Sequence, residues 1–247
     1  MVRNKLMNTF VDTCDFNETI EEMKKIIATR TVTQHVVINA NKINLMYKNN
    51  KLKKIVNHCS LINADGQSIV WANKFLKNEE RVYRVTGIDL FEQLVKVSET
   101  EGYRVYYLGA AEEVLSKVIE KHSTLYPRLK IVGSHHGYFD KNHCDALVES
   151  IRACQPDILF VAFPSPEKEF WLDKYKNQLG VPLQIGVGGS FDVVSGMVKR
   201  APVRMQKMGL EWFYRWLFEP RRLFKRYFVG NFKFLYYLFL ERYGLKR

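Results

Sequence analysis

The chain lacks the features that mark secreted, membrane-spanning and disordered proteins. Its four cysteines among 247 residues, Cys14, Cys59, Cys144 and Cys154, have neither CxxC spacing nor the density of a disulfide scaffold, the usage of reduced thiols in a cytoplasmic protein. The opening stretch MVRNKLMNTFVDTCDF has no apolar core of a signal peptide. No apolar run is long enough to span a bilayer: even Tyr227 to Leu240 is short and is interrupted by Asn231 and Lys233. This excludes an integral membrane protein but not a surface-bound one. With 14 Gly and 7 Pro against 47% hydrophobic residues, disorder is excluded, and there is no internal repeat or low-complexity tract. A DxD carboxylate pair is absent, and His135-His136 with His143 and Cys144 matches no standard zinc spacing, so no metal site is expected. Any bound diphosphate must then be neutralised by Arg and Lys.

What the chain does have is positive charge, unevenly placed. The formal charge is +12, and residues 201–247 hold eleven Lys/Arg against Glu211, Glu219 and Glu241, which is +8 of that total. The same segment, RAPVRMQKMGLEWFYRWLFEPRRLFKRYFVGNFKFLYYLFLER, interleaves the cations with more rings than a small appendage buries by itself. Trp and Tyr beside Lys and Arg suit a lipid headgroup layer. Single-stranded nucleic acid also uses rings and cations, but these rings form long runs rather than spaced stacking platforms, which favours the membrane over nucleic acid. A solvated helix face, a membrane foot and a contribution to an active site stay open at this level.

Apolar runs at 35–39, 60–65, 103–109, 129–136, 157–163 and 183–189 read as short buried strands. Helical patterns lie between them near 18–29, 42–57, 67–76, 88–101, 112–125, 143–154 and 167–179. This alternation predicts an α/β fold: a Rossmann-like, mostly parallel sheet with helices on both faces. Beyond about Gly196 only helical pattern continues, so the chain divides into a body, 1–198, and a helical basic-aromatic C-terminal appendage, 199–247. In such sheets ligands bind outside the carboxyl ends of the strands. Those ends read INAN (38–41), NADG (63–66), FPSPEKE (163–169) and GVGGSFD (186–192). Asp65 reads either as a helix N-cap or turn former, or as a carboxylate at a pocket mouth placed to accept a proton. Asp89, in RVTGIDL, is explained as an N-cap without any function. Gly186 and Gly188 of the GVGGS run place backbone N–H groups where a phosphate would be cradled, although the run is neither a full GxGxxG nor a Walker loop.

The blocks NADGQSIVWA, RVTGIDLFEQL, YYLGAAEEVL, GSHHGYF and GVGGSFDVVSGMVKRAPVRMQKMGLEWFYRWLFEPRRLFKRY, in this order, resemble the WecG/TagA/CpsF family of bacterial glycosyltransferases from about residue 10 to 232. The resemblance implies an inverting, metal-independent and cofactor-free transfer. A sugar, N-acetylmannosamine or its uronic acid in the best-known members, passes from a UDP-sugar donor to a polyprenyl-diphosphate-linked sugar acceptor. The setting it implies is cytoplasmic and peripheral, on an anionic membrane surface, in cell-wall, capsule or exopolysaccharide synthesis. No nucleic-acid partner is implied, and homo-oligomerisation is left open. By the same resemblance Asp65 is the general base, and Arg84 and Asp89 belong to a pocket motif. Arg215 and Arg222, with either Lys225 or Arg226, are the cations that complete the site. On a continuous helical path Arg215, Arg222 and Arg226 would tend toward one face, with Pro220 starting a new helix. The family's Thr at the first strand end is Asn39 here while Asn41 is kept, and its PKQE is PEKE, which places Lys168 where a Gln would stand. Both departures fall at positions expected to contact sugar or phosphate, so they put the donor in question rather than the reaction class.

Overall fold

A computed structural model describes residues 2–245 of the chain. An antiparallel hairpin, β1 (Arg3–Leu6) and β2 (Thr9–Asp12), comes first, and α1 (Phe16–Ala28) leads into β3 (Thr33–Ile38). The chain continues through α2 (Ala40–Lys48), α3 (Asn50–Asn57), β4 (Leu61–Ala64), α4 (Gln67–Phe75) and α5 (Gly87–Glu101). Then follow β5 (Arg104–Gly109), α6 (Glu112–Leu125), β6 (Lys130–His135), α7 (Asp145–Ala153), β7 (Ile158–Ala162), α8 (Glu167–Leu179) and β8 (Leu183–Gly186). Six strands form one sheet in the order β4-β3-β8-β7-β5-β6, every pairing parallel. The expected α/β architecture is therefore present.

Its cause is visible along β5. Val105 and Tyr107 enter one core with Phe91, Phe160 and Phe191, while Tyr106 and Leu108 enter another with Trp171 and Leu172. A strand buried on both faces needs apolar residues at every position, which is why these runs lack alternation. α1, α5 and α6 pack on the first core, α7 and α8 on the second, and α2, α3 and α4 enclose a third around Ile43, Leu52 and Ile62. α1 starts with a reciprocal cap: Asp15 accepts the Glu18 N–H at 2.9 Å, and Glu18 accepts the Asp15 N–H at 2.8 Å.

Three local readings change. The helix expected over 42–57 is two helices, because Asn49 takes extended angles (φ −137°, ψ 98°) and its side chain caps Leu52 N–H at 2.9 Å. The β1–β2 hairpin has no counterpart among the expected strands. The last expected strand, 183–189, ends at Gly186, and Gly188 (φ 54°) lies in a turn.

Beyond β8 come only helices, as expected: α9 (Ser190–Val194), α10 (Val203–Lys207), α11 (Glu211–Phe218), α12 (Pro220–Phe224), a π-helical turn at Lys225–Val229 and α13 (Gly230–Arg242). Pro220 occupies the first turn of α12, where its missing N–H costs nothing. α13 lies on α2: the Tyr47 and Tyr237 rings stack at 3.9 Å, and Asn44 donates to Gly230 O at 2.7 Å. Phe234 and Leu238 are buried in the third core. Among the described residues no helix is long and apolar enough to cross a membrane.

Besides Leu6, Met7 and Val11 in the third core, a buried carboxylate ties the hairpin to the edge of the sheet. Asp12 accepts the Ile62 N–H at 2.6 Å and pairs with Arg3 at 2.5 Å, and Arg3 reaches Ser60 O at 2.7 Å. Removing one member of a buried pair strands the other. Because Arg3 is partly exposed, Asp12→Ala is expected to cost about 2–3 kcal/mol, read as a lower urea midpoint at unchanged m-value.

Candidate active site

The parallel register Ile38↔Ala64 brings the ends of β3 and β4 side by side, so the residues that follow them meet. Asp65 N–H donates to Ile38 O at 2.8 Å, and the Asn39 amide reaches the Asp65 carboxylate at 3.5 Å. Asn39 also caps α2, accepting the Lys42 N–H at 3.0 Å, and Asn41 is half-buried in the first turn of that helix. Asp65 is not a helix cap, since Gly66 (φ 125°) occupies that position for α4. The Asp65 carboxylate is half-buried, and among the described residues its one side-chain hydrogen-bond partner is Asn39.

Beneath this pair lies a buried ionic cluster. Glu169, in the first turn of α8, accepts from Lys42 at 2.7 Å, Lys168 at 3.0 Å and Ser165 at 3.1 Å. The Lys168 ammonium also donates to Ser165. Burial, joined by the like charge of Lys42, pushes Lys168 down to about 8, with Glu169 and Asp65 opposing the shift. Burial acts against the charge of Glu169, but Lys42 and Lys168 outweigh it and hold the carboxyl well below its usual range. Gly186 makes room for this arrangement: a Cβ there would stand 2.6 Å from Lys168 Cδ. Gly186 thus serves the Lys168 stem, while Gly188 N–H is turned to Val161 O at 3.4 Å.

The RVTGIDL block returns to the same sheet edge. Ala64 and Arg84 form a parallel bridge, and Val85 N–H donates to Ala64 O at 2.8 Å, which sets Arg84 next to the Asp65 turn. Its guanidinium donates to Gln206 O at 3.0 Å and to Glu211 at 2.7 Å. Asp89 is not the cap of α5. Thr86 is the cap, its Oγ1 accepting the Asp89 N–H at 3.3 Å, and Asp89 accepts from Thr86 Oγ1 and, at 2.6 Å, from Arg200. Arg200 also approaches Glu211 at 3.6 Å. An open groove of about 710 Å³ adjoins Arg84 and Asp89, lined further by Lys96, Lys121 and Tyr126, and neither Asp65 nor Lys168 reaches it.

The C-terminal cations do not share one helical face. Glu219 (φ −134°, ψ 56°) interrupts the path, leaving Arg215 on α11, Arg222 on α12, and Lys225 and Arg226 in the π-helical turn. Arg222 pairs with Glu219 at 2.5 Å, and Arg226 lies over the Tyr227 ring at 5.6 Å. Arg222 and Arg215 nevertheless bear on one acid of the glycine-rich block: burial raises Asp192, and these two cations oppose the rise. Lys225 and Arg226 are exposed.

Lys42, Glu169, Asp192, Arg200 and Glu211 were not singled out as site residues from the sequence. Arg200 and Glu211 stand inside the quoted KRAP and GLEW stretches, which was the available signal. Lys42 reads as an ordinary first-turn lysine and had none. The four cysteines are unpaired, and among the described residues no three His, Cys, Asp or Glu side chains converge as a metal site.

Comparison with known proteins identifies the family. The family model described as "Glycosyl transferase WecG/TagA/CpsF family" matches residues 4–247. N-acetylglucosaminyldiphosphoundecaprenol N-acetyl-beta-D-mannosaminyltransferase of Staphylococcus aureus strain NCTC 8325 / PS 47 is 31% identical over 216 residues, 85% of this chain and 84% of that protein. The proteins of the same name from strains COL and MSSA476 match with the same 31% identity and coverage. The chain belongs to the WecG/TagA/CpsF family of glycosyl transferases.

Proposed function

We propose that this glycosyl transferase moves an N-acetylmannosamine-type sugar from a UDP-sugar to a polyprenyl-diphosphate-linked sugar, with inversion and without a metal, in bacterial cell-surface polysaccharide synthesis. The carrying observation is Asp65: a half-buried carboxylate at the C-terminal edge of a parallel sheet that caps no helix and whose one side-chain hydrogen-bond partner among the described residues is the Asn39 amide at 3.5 Å. A carboxylate so placed is free to take a proton. The acceptor hydroxyl oxygen bonds to the anomeric carbon as the bond from that carbon to UDP breaks. The electron pair leaves with the UDP oxygen, and the hydroxyl proton passes to Asp65. The charge developing on UDP calls for cations, for which Arg215 and Arg222 beside the glycine-rich block are the candidates, with Lys225 or Arg226 as a third. The acceptor is assigned from the family and from the names of the Staphylococcus aureus relatives. A body of 1–198 and an appendage of 199–247 that attaches to the inner face of the cell membrane would bring Asp65 to that lipid.

The direct test is Asp65→Asn, which keeps size and polarity but removes the proton acceptor. Turnover is expected to fall about 10²–10⁴-fold with donor KM within a few-fold of the parent and thermal midpoint unchanged. A folded variant within tenfold of parental turnover removes Asp65 from the role of base.

Lys168→Gln removes the buried cation while keeping a hydrogen-bond donor. It is expected to shift the ratio of kcat/KM for UDP-N-acetylmannosamine against its uronic acid by about tenfold toward the neutral sugar, since a desolvated ammonium favours a carboxylate-bearing donor. Parallel assays of the two donors check this, and an unchanged ratio denies Lys168 a part in donor choice.

Arg222→Ala is expected to lower transfer about 10–100-fold with a detergent-dispersed short-chain acceptor, for which attachment to a bilayer is immaterial. Full activity there, with only vesicle binding lost, makes the segment an anchor alone.

A further inference from the structure

Helix α4 starts immediately after the Asp65-Gly66 turn and has two unlike sides. Ile69, Ala72 and Asn73 are buried, whereas Trp71 and Phe75 are 60% and 45% exposed. Gln67, Trp71 and Phe75 recur every fourth residue and so share one stripe, with exposed Lys74 beside it. Single exposed rings are ordinary. This pair is unusual because the stripe does not end at Gln67. Gly209 sits directly on that side chain: a Cβ on it would stand 2.9 Å from Gln67 Cβ, and its φ of +73° suits glycine. The residues leading into Gly209 are similar in kind. Val203 and Met208 are 63% and 64% exposed, and Arg204 and Lys207 are exposed between them.

Neither α4 nor the stretch from Lys199 to Leu210 contains an acidic residue; the flanking acids are Asp65 before α4, Glu79 and Glu80 after it, and Glu211, which is paired with Arg84 at 2.7 Å. Apolar side chains interleaved with cations and free of acids match the interface of an anionic bilayer, where rings and stems enter the acyl boundary and cations remain at the phosphates. A protein partner of ordinary composition would meet three cations here without a countercharge from this surface.

We propose that Trp71, Phe75 and Lys74 of α4, joined across the Gly209–Gln67 contact to Val203, Lys207 and Met208, form a docking surface for anionic phospholipid bilayers. It lies on the body of the protein and is distinct from the aromatic helices that follow Glu211. Its position gives it a consequence for transfer. Trp71 stands four residues, about 6 Å along the helix axis, beyond Gln67, so contact at Trp71 holds the Asp65 turn at the depth of lipid headgroups. That consequence rests on the function proposed above, whereas the docking itself does not.

The test uses the full chain. Binding to phosphatidylcholine vesicles with and without phosphatidylglycerol is measured for the parent, Trp71→Phe, Lys74→Gln and the double variant Trp71→Ala/Phe75→Ala. Circular dichroism and sedimentation velocity control for fold and assembly. The double variant is expected to need about tenfold more phosphatidylglycerol-containing lipid for half-binding, and Trp71→Phe to stay near the parent. Lys74→Gln is expected to lose about fivefold on anionic vesicles and nothing on phosphatidylcholine. Transfer to an acceptor embedded in vesicles should fall with binding, while transfer to a water-soluble short-chain acceptor stays within twofold. Unchanged vesicle binding by a folded double variant overturns the proposal. So does a change of oligomeric state with vesicle binding intact, which makes the stripe a contact between copies of this chain. If the parent transfers to neither acceptor but vesicle binding still responds to Trp71 and Phe75, the docking surface stands and the functional reading fails.

Discussion

Glu169 is a carboxylate 1% exposed, and much of the site is arranged to compensate its charge. Lys42 reaches it from α2 and Lys168 from its own turn of α8, so two helix N-termini and the end of β8 are drawn to one point. Replacing a buried ionic group by apolar residues of similar volume is often neutral or stabilising, whereas losing one partner costs about 3–5 kcal/mol. Stability alone therefore gives little reason to keep such a cluster. Under the proposed mechanism its place near Asn39 and Asp65 gives a functional one, because it fixes Asn39 through the first turn of α2 and sets a cation near the carboxylate. Gly186 follows as a consequence, since a larger residue would occupy the space of the Lys168 stem.

A second set of charges connects regions distant in sequence. Glu211 divides its carboxylate between Arg84 and Arg200, and Arg200 continues to Asp89 at the start of α5. Three stretches distinctive in the sequence, RVTGIDL, KRAP and GLEW, are thus held in one half-exposed network. Asp89 serves a double purpose, completing the Thr86 cap and anchoring Arg200. This network seats the start of the C-terminal segment beside the Asp65 turn, and α13 seats its end through Tyr237, Phe234 and Leu238 on α2 and the third core.

Between those two attachments the segment leaves much apolar area uncovered. Trp212, Trp216 and Phe228 pack on one another, whereas Phe218, Phe224, Phe232 and Phe239 are each more than half exposed. Contiguous exposed rings of this kind mark an interaction surface. With the acid-free stripe of α4, they are the apolar surfaces on which the proposed attachment to a bilayer rests.

The sheet was legible in the sequence because strands buried on both faces, such as β5 and β7, are apolar at successive positions, and such runs separated by helical periods point to a parallel, helix-covered sheet. Asn39 and Asp65 were legible as residues at strand ends because parallel strands present their carboxyl ends on one edge; that they meet follows from the adjacency of β3 and β4, which only the fold decided. The β1–β2 hairpin was hidden because its strands are only four residues each and the left-handed position of its turn is held by Met7 at φ 54°, leaving Asn8 as the single turn signal. The break at Asn49 was hidden because the apolar period continues through it, and periodicity reports burial rather than backbone angle. Only the tertiary structure decided which charges pair. Arg84 meets Glu211 and Lys42 meets Glu169 across 127 positions each, and no local pattern encodes a partner at that distance. Composition determined that this chain would carry excess cations and rings into its last fifth; the fold determined which of them pack inward and which remain facing out, because burial and ion pairing are properties of neighbours in space.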